Sequence, residues 1–315
     1  MIEHIIANNR TGTSSSYIPS FTGDRNLEGG LRSRGSEGTD MFRGQEVSAQ
    51  EFAWNSRVLS PESLSDDASL EALITGQAGV IVLRGFLSKE VLSSAFGSVE
   101  KMEPLIKDNL YPNTRLITVG PYLAGALDLP QAYFDRARDM EQAVPPEMTV
   151  FTAKIYDLVA TALCLNTLNV AREESGDAYS PFMVLIHRSG MAMPLHNDMI
   201  ARDAIGSSLR VAAARSQLRC TVCLQECTSG GELILYKKQW SLADEASKIR
   251  GNFGYPLSVV EGCKQLVFKP ETGDIYIFNP TYYHEVAETA GDTRVTLGFF
   301  FGRAGGDDRD MVAWS

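Results

Sequence analysis

At 315 residues the chain has room for one large domain or two small ones, and its 44% hydrophobic content is that of a soluble globular protein. A net charge of −10, from 29 Lys+Arg against 39 Asp+Glu, argues against a nucleic-acid-binding surface. No apolar run reaches the ~20 residues of a membrane span, and the N-terminus lacks both a basic leader and a long apolar segment, so no export signal is expected. An odd count of five cysteines then points to reduced thiols in a cytoplasm.

Residues 1–50 are rich in Ser, Gly, Asn, Thr and Arg and read as a flexible N-terminal arm, with residues 51–315 as a single domain. Ser60-Pro61-Glu62 looks like a helix start, with serine as cap and proline in the first turn. Residues 79–86, β-branched and bounded by Gly79 and Gly85, read as a strand, and Ser88 opens a helix reaching about Met102. Residues 105–130 carry turn signals such as Tyr111-Pro112-Asn113 and Gly120-Pro121-Tyr122 and read as a loop. Loops of that kind shape pockets, so Asn113, Arg115, Ile117 and Tyr122 are the candidates for substrate contact. A helix follows Pro130, and a longer one is expected over 147–173, where Phe151, Ile155, Leu158, Ala162 and Leu165 form a stripe of helical period.

From Phe182 the period switches to two. Residues 182–187, 194–199, 218–225, 232–237, 265–268, 274–279, 282–286 and 294–301 each read as strands, separated by turns such as Ser229-Gly230-Gly231 and Glu271-Thr272-Gly273. The fold expected is mainly β with a helical N-terminal half. Its core would be a double-stranded β-helix, a jelly-roll or cupin-like barrel, buttressed by α-helices.

Histidine is scarce: His4, His187, His196 and His284 are the four. His196 and Asp198 stand two apart in a predicted strand and so face the same way. His284 follows another strand. Two imidazoles and one carboxylate on one face of a metal leave the opposite positions open, which is the facial triad of non-haem Fe(II) sites. Arg294, Thr296 and Gly298 share a face of the last strand and offer a cation, a hydroxyl and a gap. That face suits a dicarboxylate, because a guanidinium grips a carboxylate with two parallel hydrogen bonds. Other features have plainer readings. His187, on an apolar strand, is expected in the core or behind the ligands. Cys220, Cys223 and Cys227 are read as buried thiols, since no fourth ligand lies nearby and the first two face opposite sides of a strand. Gly230-Gly231 is read as a hairpin turn, and Tyr236, Trp240, Tyr276 and Phe278 as core aromatics.

The pattern H-x-D … H-x9-R-x-T on a late run of strands resembles the Fe(II)/2-oxoglutarate-dependent oxygenases. Gly230–Tyr236 with Trp240, Pro270–Asp274 with Phe278, and Tyr283-His284 are similar to one branch of them. That branch holds the stand-alone halogenases of small metabolites such as indole alkaloids, with hydroxylase-type relatives. The likeness spans roughly residues 77–302. It implies a ferrous ion on His196, Asp198 and His284 as the catalytic centre, with O2 and 2-oxoglutarate as cosubstrates. It further implies that Arg294 anchors the distal carboxylate of 2-oxoglutarate, with Thr296 beside it and the Tyr236 hydroxyl as a further contact.

One departure matters: the halogenases of that branch carry glycine where this chain has Asp198, and chloride fills the vacated position. A carboxylate there closes the site to chloride and repels it. The expected activity is therefore a dioxygenase that hydroxylates an unactivated C–H, with 2-oxoglutarate decarboxylated to succinate. Desaturation or cyclisation uses the same ligand set, and halogenation ranks below both. From a different class, a cupin-like module could bind a metal or small ligand without turnover. The expected partner is a small molecule (an amino acid, a nucleoside or an alkaloid-like compound), with neither nucleic acid nor membrane, and a homodimer is the assembly to test for.

Overall fold

The computed structural model describes residues 54–63, 67–248, 251, 253–303 and 305–315; the arm expected over residues 1–50 lies outside them. The chain enters through a strand β1 (Ser56–Leu59), a helix α1 (Asp67–Ile74) and a fully buried strand β2 (Val80–Leu83) that pairs parallel with β1. A helix α2 follows (Lys89–Lys101), opened by Ser88, whose hydroxyl accepts from the Val91 N–H at 3.4 Å. Next come a hairpin of β3 (Ile106–Tyr111) and β4 (Thr114–Val119), then helices α3 (Pro130–Ala143) and α4 (Pro146–Ala162) and a strand β5 (Thr167–Val170).

Two sequence expectations need correction here. Residues 105–130 are no simple loop: β3 and β4 pair along their whole length, and β4 continues onto the barrel. The helix expected to reach residue 173 stops at Ala162, because Cys164 takes a left-handed φ of 52° and Thr167–Val170 is drawn into a parallel ladder with the C-terminal strand. The N-terminal half is thus not simply helical. Helices alternate with five strands, and the outer face of the large sheet holds the helices in place.

The barrel itself uses β6 (Met183–His187), β7 (Met193–His196), β8 (Arg215–Gln225), β9 (Leu233–Gln239), β10 (Gln265–Phe268), β11 (Ile275–Phe278), β12 (Tyr282–Val286) and β13 (Arg294–Arg303). A short helix α5 (Ile200–Asp203) follows β7, and β14 (Asp310–Trp314) closes the chain against β13. Barrel strands pass from one sheet to the other. The large sheet runs β1-β2-β11-β8-β13-β6-β4-β3 and the small one β10-β9-β12-β7, as a double-stranded β-helix requires.

Alternation along β8 and β13 decides what each face does. Leu218, Cys220, Val222 and Leu224, with Val295, Leu297, Phe299 and Phe301, face the helices and pack with Phe151, Ile155 and Val159 of α4. Each such side chain fully removed from water contributes roughly 1.5–3 kcal/mol. The opposite parity, Arg219, Thr221, Arg294, Thr296 and Phe300, points between the two sheets and lines a cavity. Among the described residues, no helix is long and apolar enough to cross a membrane.

Candidate active site

His196 ends β7 and His284 lies inside β12. The two are direct partners in the antiparallel ladder, so their imidazoles stand side by side with ring centroids 4.2 Å apart. Each ring is fixed from behind. His196 Nδ1 lies 2.7 Å from the Pro194 carbonyl and His284 Nδ1 lies 2.9 Å from the Tyr282 carbonyl. A carbonyl only accepts, so Nδ1 carries the proton and Nε2 keeps a lone pair directed into the cavity. Burial pushes the pKa of His196 down and that of His284 well down, in the latter case with help from the neighbouring His196. Both rings are therefore neutral at pH 7, the form in which an imidazole can bind a metal.

Asp198 reaches the same point by a different route from the one its spacing suggests. The strand expected over 194–199 stops at His196, and a turn into α5 delivers the aspartate. Its N–H donates to the Pro280 carbonyl at 2.9 Å, tying the turn to the loop before β12. Oδ2 then lies 3.9 Å from His196 Nε2 and 3.6 Å from His284 Nε2. The three ligand atoms all fall within 4.8 Å of one another.

The cavity in front of them has a volume of about 810 Å³. At its inner end Arg294, 3% exposed, donates from Nη2 to the Tyr276 hydroxyl at 2.9 Å, while its Nε has no partner among the described residues. Directly across the ladder sits His187, 2% exposed, with both ring nitrogens unsatisfied. Burial and the adjacent Arg294 push the His187 pKa down to about 3. Thr296 lines the same wall, two residues along β13. Unsatisfied buried donors around a cation form a cradle suited to an anion.

The remaining predicted residues separate by strand parity. Tyr236 does not line the cavity: it packs on the outer face of the small sheet with Leu195, Tyr255 and Tyr283, and its hydroxyl donates to Glu285 at 2.6 Å. Its neighbours Leu233 and Leu235 take the inner face. On β4 the cavity side is Leu116 and Thr118, so Ile117 goes into the core and Arg115 pairs with Asp108 outside. Tyr122 does line the cavity. Asn113 acts through a neighbour: its side chain exchanges two hydrogen bonds, 2.8 and 2.9 Å, with the backbone of Phe253, whose ring packs edge-on against His196. Arg219, a second buried guanidinium in the cavity, was not among the sequence candidates, although an arginine inside the apolar run Leu218–Leu224 was the available signal. Tyr276, read as a core aromatic, is the hydroxyl that Arg294 uses.

Comparison with known proteins matches residues 59–315 to one family, described as the carrier-protein-independent halogenase WelO5. The chain belongs to this family. Among curated proteins, the leucinostatins biosynthesis cluster protein S of Purpureocillium lilacinum is 26% identical over 170 residues, 51% of this chain and 66% of that protein. The L-isoleucine 3(1)-dioxygenase of Pantoea ananatis is 27% identical over 153 residues, 46% of this chain and 50% of that protein. The chain thus spans less than two thirds of either relative. A solved N-substituted L-amino acid dioxygenase from Burkholderia ambifaria shares the fold with a TM-score of 0.55 at 14% identity, covering 79% of this chain and 91% of that one.

This WelO5-family chain has a donor set that suits a ferrous ion. Two neutral imidazoles and a carboxylate, with Asp198 Oδ2 3.6 and 3.9 Å from the two Nε2 atoms, lie within the ~4.2 Å that two metal–ligand bonds can bridge. The cradle of Arg294, His187 and Tyr276 suits the carboxylate of a keto diacid.

Proposed function

We propose that residues 51–315 form one catalytic domain of a non-haem Fe(II)- and 2-oxoglutarate-dependent dioxygenase that hydroxylates an unactivated C–H of a free small molecule. The observation that carries this reading is the convergence of His196, Asp198 and His284 at one end of a cavity that also holds Arg294. His196, Asp198 and His284 would hold the metal, and Arg294 with Thr296 would anchor 2-oxoglutarate. When bound, iron, 2-oxoglutarate and O2 together supply the oxidising power to cleave a C–H bond, and the cosubstrate leaves as succinate and CO2.

The chain's own groups bind, orient and exclude water. The Pro194 and Tyr282 carbonyls keep both Nε2 atoms aimed at one point. Phe253 shields the outer edge of the His196 ring. Arg294 is a buried, permanently charged guanidinium and would fix a carboxylate in one orientation. Asp198 argues for hydroxylation over halogenation, since its carboxylate fills the position that a halide would need. A small-molecule substrate accords with the cavity volume and with the likeness to an L-isoleucine dioxygenase. A cytoplasmic setting accords with five unpaired thiols.

The test is succinate release read together with product mass for a panel of candidate metabolites. A gain of one oxygen is expected, with coupled succinate lost in His196→Ala, Asp198→Ala and His284→Ala. A gained chlorine, or full turnover in any of the three variants, would overturn the assignment.

A further inference from the structure

One charged group in the cavity has no part in the reading so far. Arg219 lies on β8, its side chain is 9% exposed, and it lines the same cavity as the two histidines. Its guanidinium stacks over the Phe300 ring at 4.7 Å. Among the described residues it has neither a hydrogen-bond acceptor nor a carboxylate partner, and its nitrogens stay open to the cavity. Burial lowers its pKa, with Asp198 opposing that shift from a distance.

The surrounding strands make room for it. Gly298 faces Thr221 across the ladder, two pairs away from Phe300 and Arg219. A Cβ on Gly298 would meet Arg219 Nη2 at 3.1 Å and Thr221 Oγ1 at 3.5 Å. The missing side chain therefore leaves room for the Arg219 guanidinium, which lines the cavity with Thr221. Arg294 lies six residues along β13 from Phe300, the ladder partner of Arg219, and its charge still opposes that of Arg219.

The charge balance of the cavity, which rests on the function proposed above, points the same way. A ferrous ion and Arg294 bring three positive charges, and Asp198 with 2-oxoglutarate brings three negative ones. The inner cavity is thus neutral before Arg219 is counted. Of the other cations lining the cavity, Arg202 is paired with Asp203 at 2.6 Å, and Lys107, Arg136 and Lys248 are more exposed than Arg219. From the unpartnered guanidinium that lines the cavity, the room Gly298 makes for it and this balance, we infer that the substrate carries a single carboxylate and that Arg219, with Thr221 beside it, binds that group. Arg219 is then the specificity residue for the substrate, as Arg294 is for the cosubstrate. A fork of two N–H donors over a stacked ring selects a planar carboxylate.

The experiment uses the full chain loaded anaerobically with Fe(II) and 2-oxoglutarate. Free L-amino acids, other small carboxylic acids, their primary amides and matched phosphate monoesters are titrated while the visible band of the iron–keto acid complex is followed. At least one acid should shift the band with a Kd at least tenfold below that of its amide and its phosphate counterpart. Arg219→Met should lose that preference while its Kd for 2-oxoglutarate stays within threefold of wild type, and Arg219→Lys should recover part of it. Amides or phosphates acting as well as acids, no acid shifting the band, or a tenfold weaker 2-oxoglutarate Kd in Arg219→Met with an unchanged acid response would each overturn the inference. Absence of any band in the wild-type protein would instead remove the oxygenase reading on which it stands.

Discussion

At the scale of single residues the site runs on groups kept in one protonation state. Arg294 is a permanent cation held by the Tyr276 hydroxyl, so it can order a carboxylate without moving. Arg294→Met should raise the KM for 2-oxoglutarate at least tenfold in steady-state succinate assays; an unchanged KM would remove it from the cosubstrate site. His187 is the opposite case, a neutral ring held without a proton by burial. Its folded pKa of about 3 lies below its ordinary 6.5, so the unfolded chain binds the extra proton first. Its contribution to stability is whole above pH 6.5 and falls as pH drops toward 3, at roughly 1.4 kcal/mol per pH unit. His196 and His284, with lowered pKa values, add to that slope in metal-free protein. Urea unfolding of metal-free His187→Leu between pH 6.5 and 4 should show a slope shallower by about one proton. An identical slope would mean that His187 is protonated in the folded state.

Among the elements, the decisive contact is the β7–β12 ladder and the loop pinned to its edge. Gly254 has a φ of +80°, and a Cβ there would lie 2.1 Å from the Leu195 carbonyl, which instead accepts from the Tyr255 N–H at 2.8 Å. Only glycine lets the 253–255 backbone approach β7 so closely, and that approach sets Phe253 over His196. Gly254→Ala should lower stability by about 1–3 kcal/mol and weaken metal binding, read from the urea midpoint and a metal titration. A wild-type midpoint would contradict the role given to this loop. The same scale explains which cavity-lining residues could be read from the sequence. Tyr122 was found because a turn marked it, whereas Arg115 and Ile117 fall on the wrong side of β4. Without the register of β4 against β6, nothing in the sequence says which parity faces inward.

In the whole molecule the barrel was legible because all eight of its strands carry period-two patterning between turn residues, and two of them, 265–268 and 282–286, match residue for residue. The His196, Asp198 and His284 cluster was legible because few residue types can supply it and histidine is rare here. What stayed hidden depends on distant partners. The β3–β4 hairpin forms on the barrel edge, β5 exists only beside β14, and Arg219 gains meaning from Gly298 across the ladder. The organisation that results puts helices on the outer face of the large sheet and leaves the space between the sheets for chemistry. The most direct test of that arrangement is an anaerobic titration of metal-free protein with Fe(II) and 2-oxoglutarate. The account predicts one ferrous ion per chain, a weak visible charge-transfer band that needs both additions, and loss of that band in His284→Ala. Tight iron binding with no band, or a band that survives alanine at His196, Asp198 and His284 alike, would contradict it.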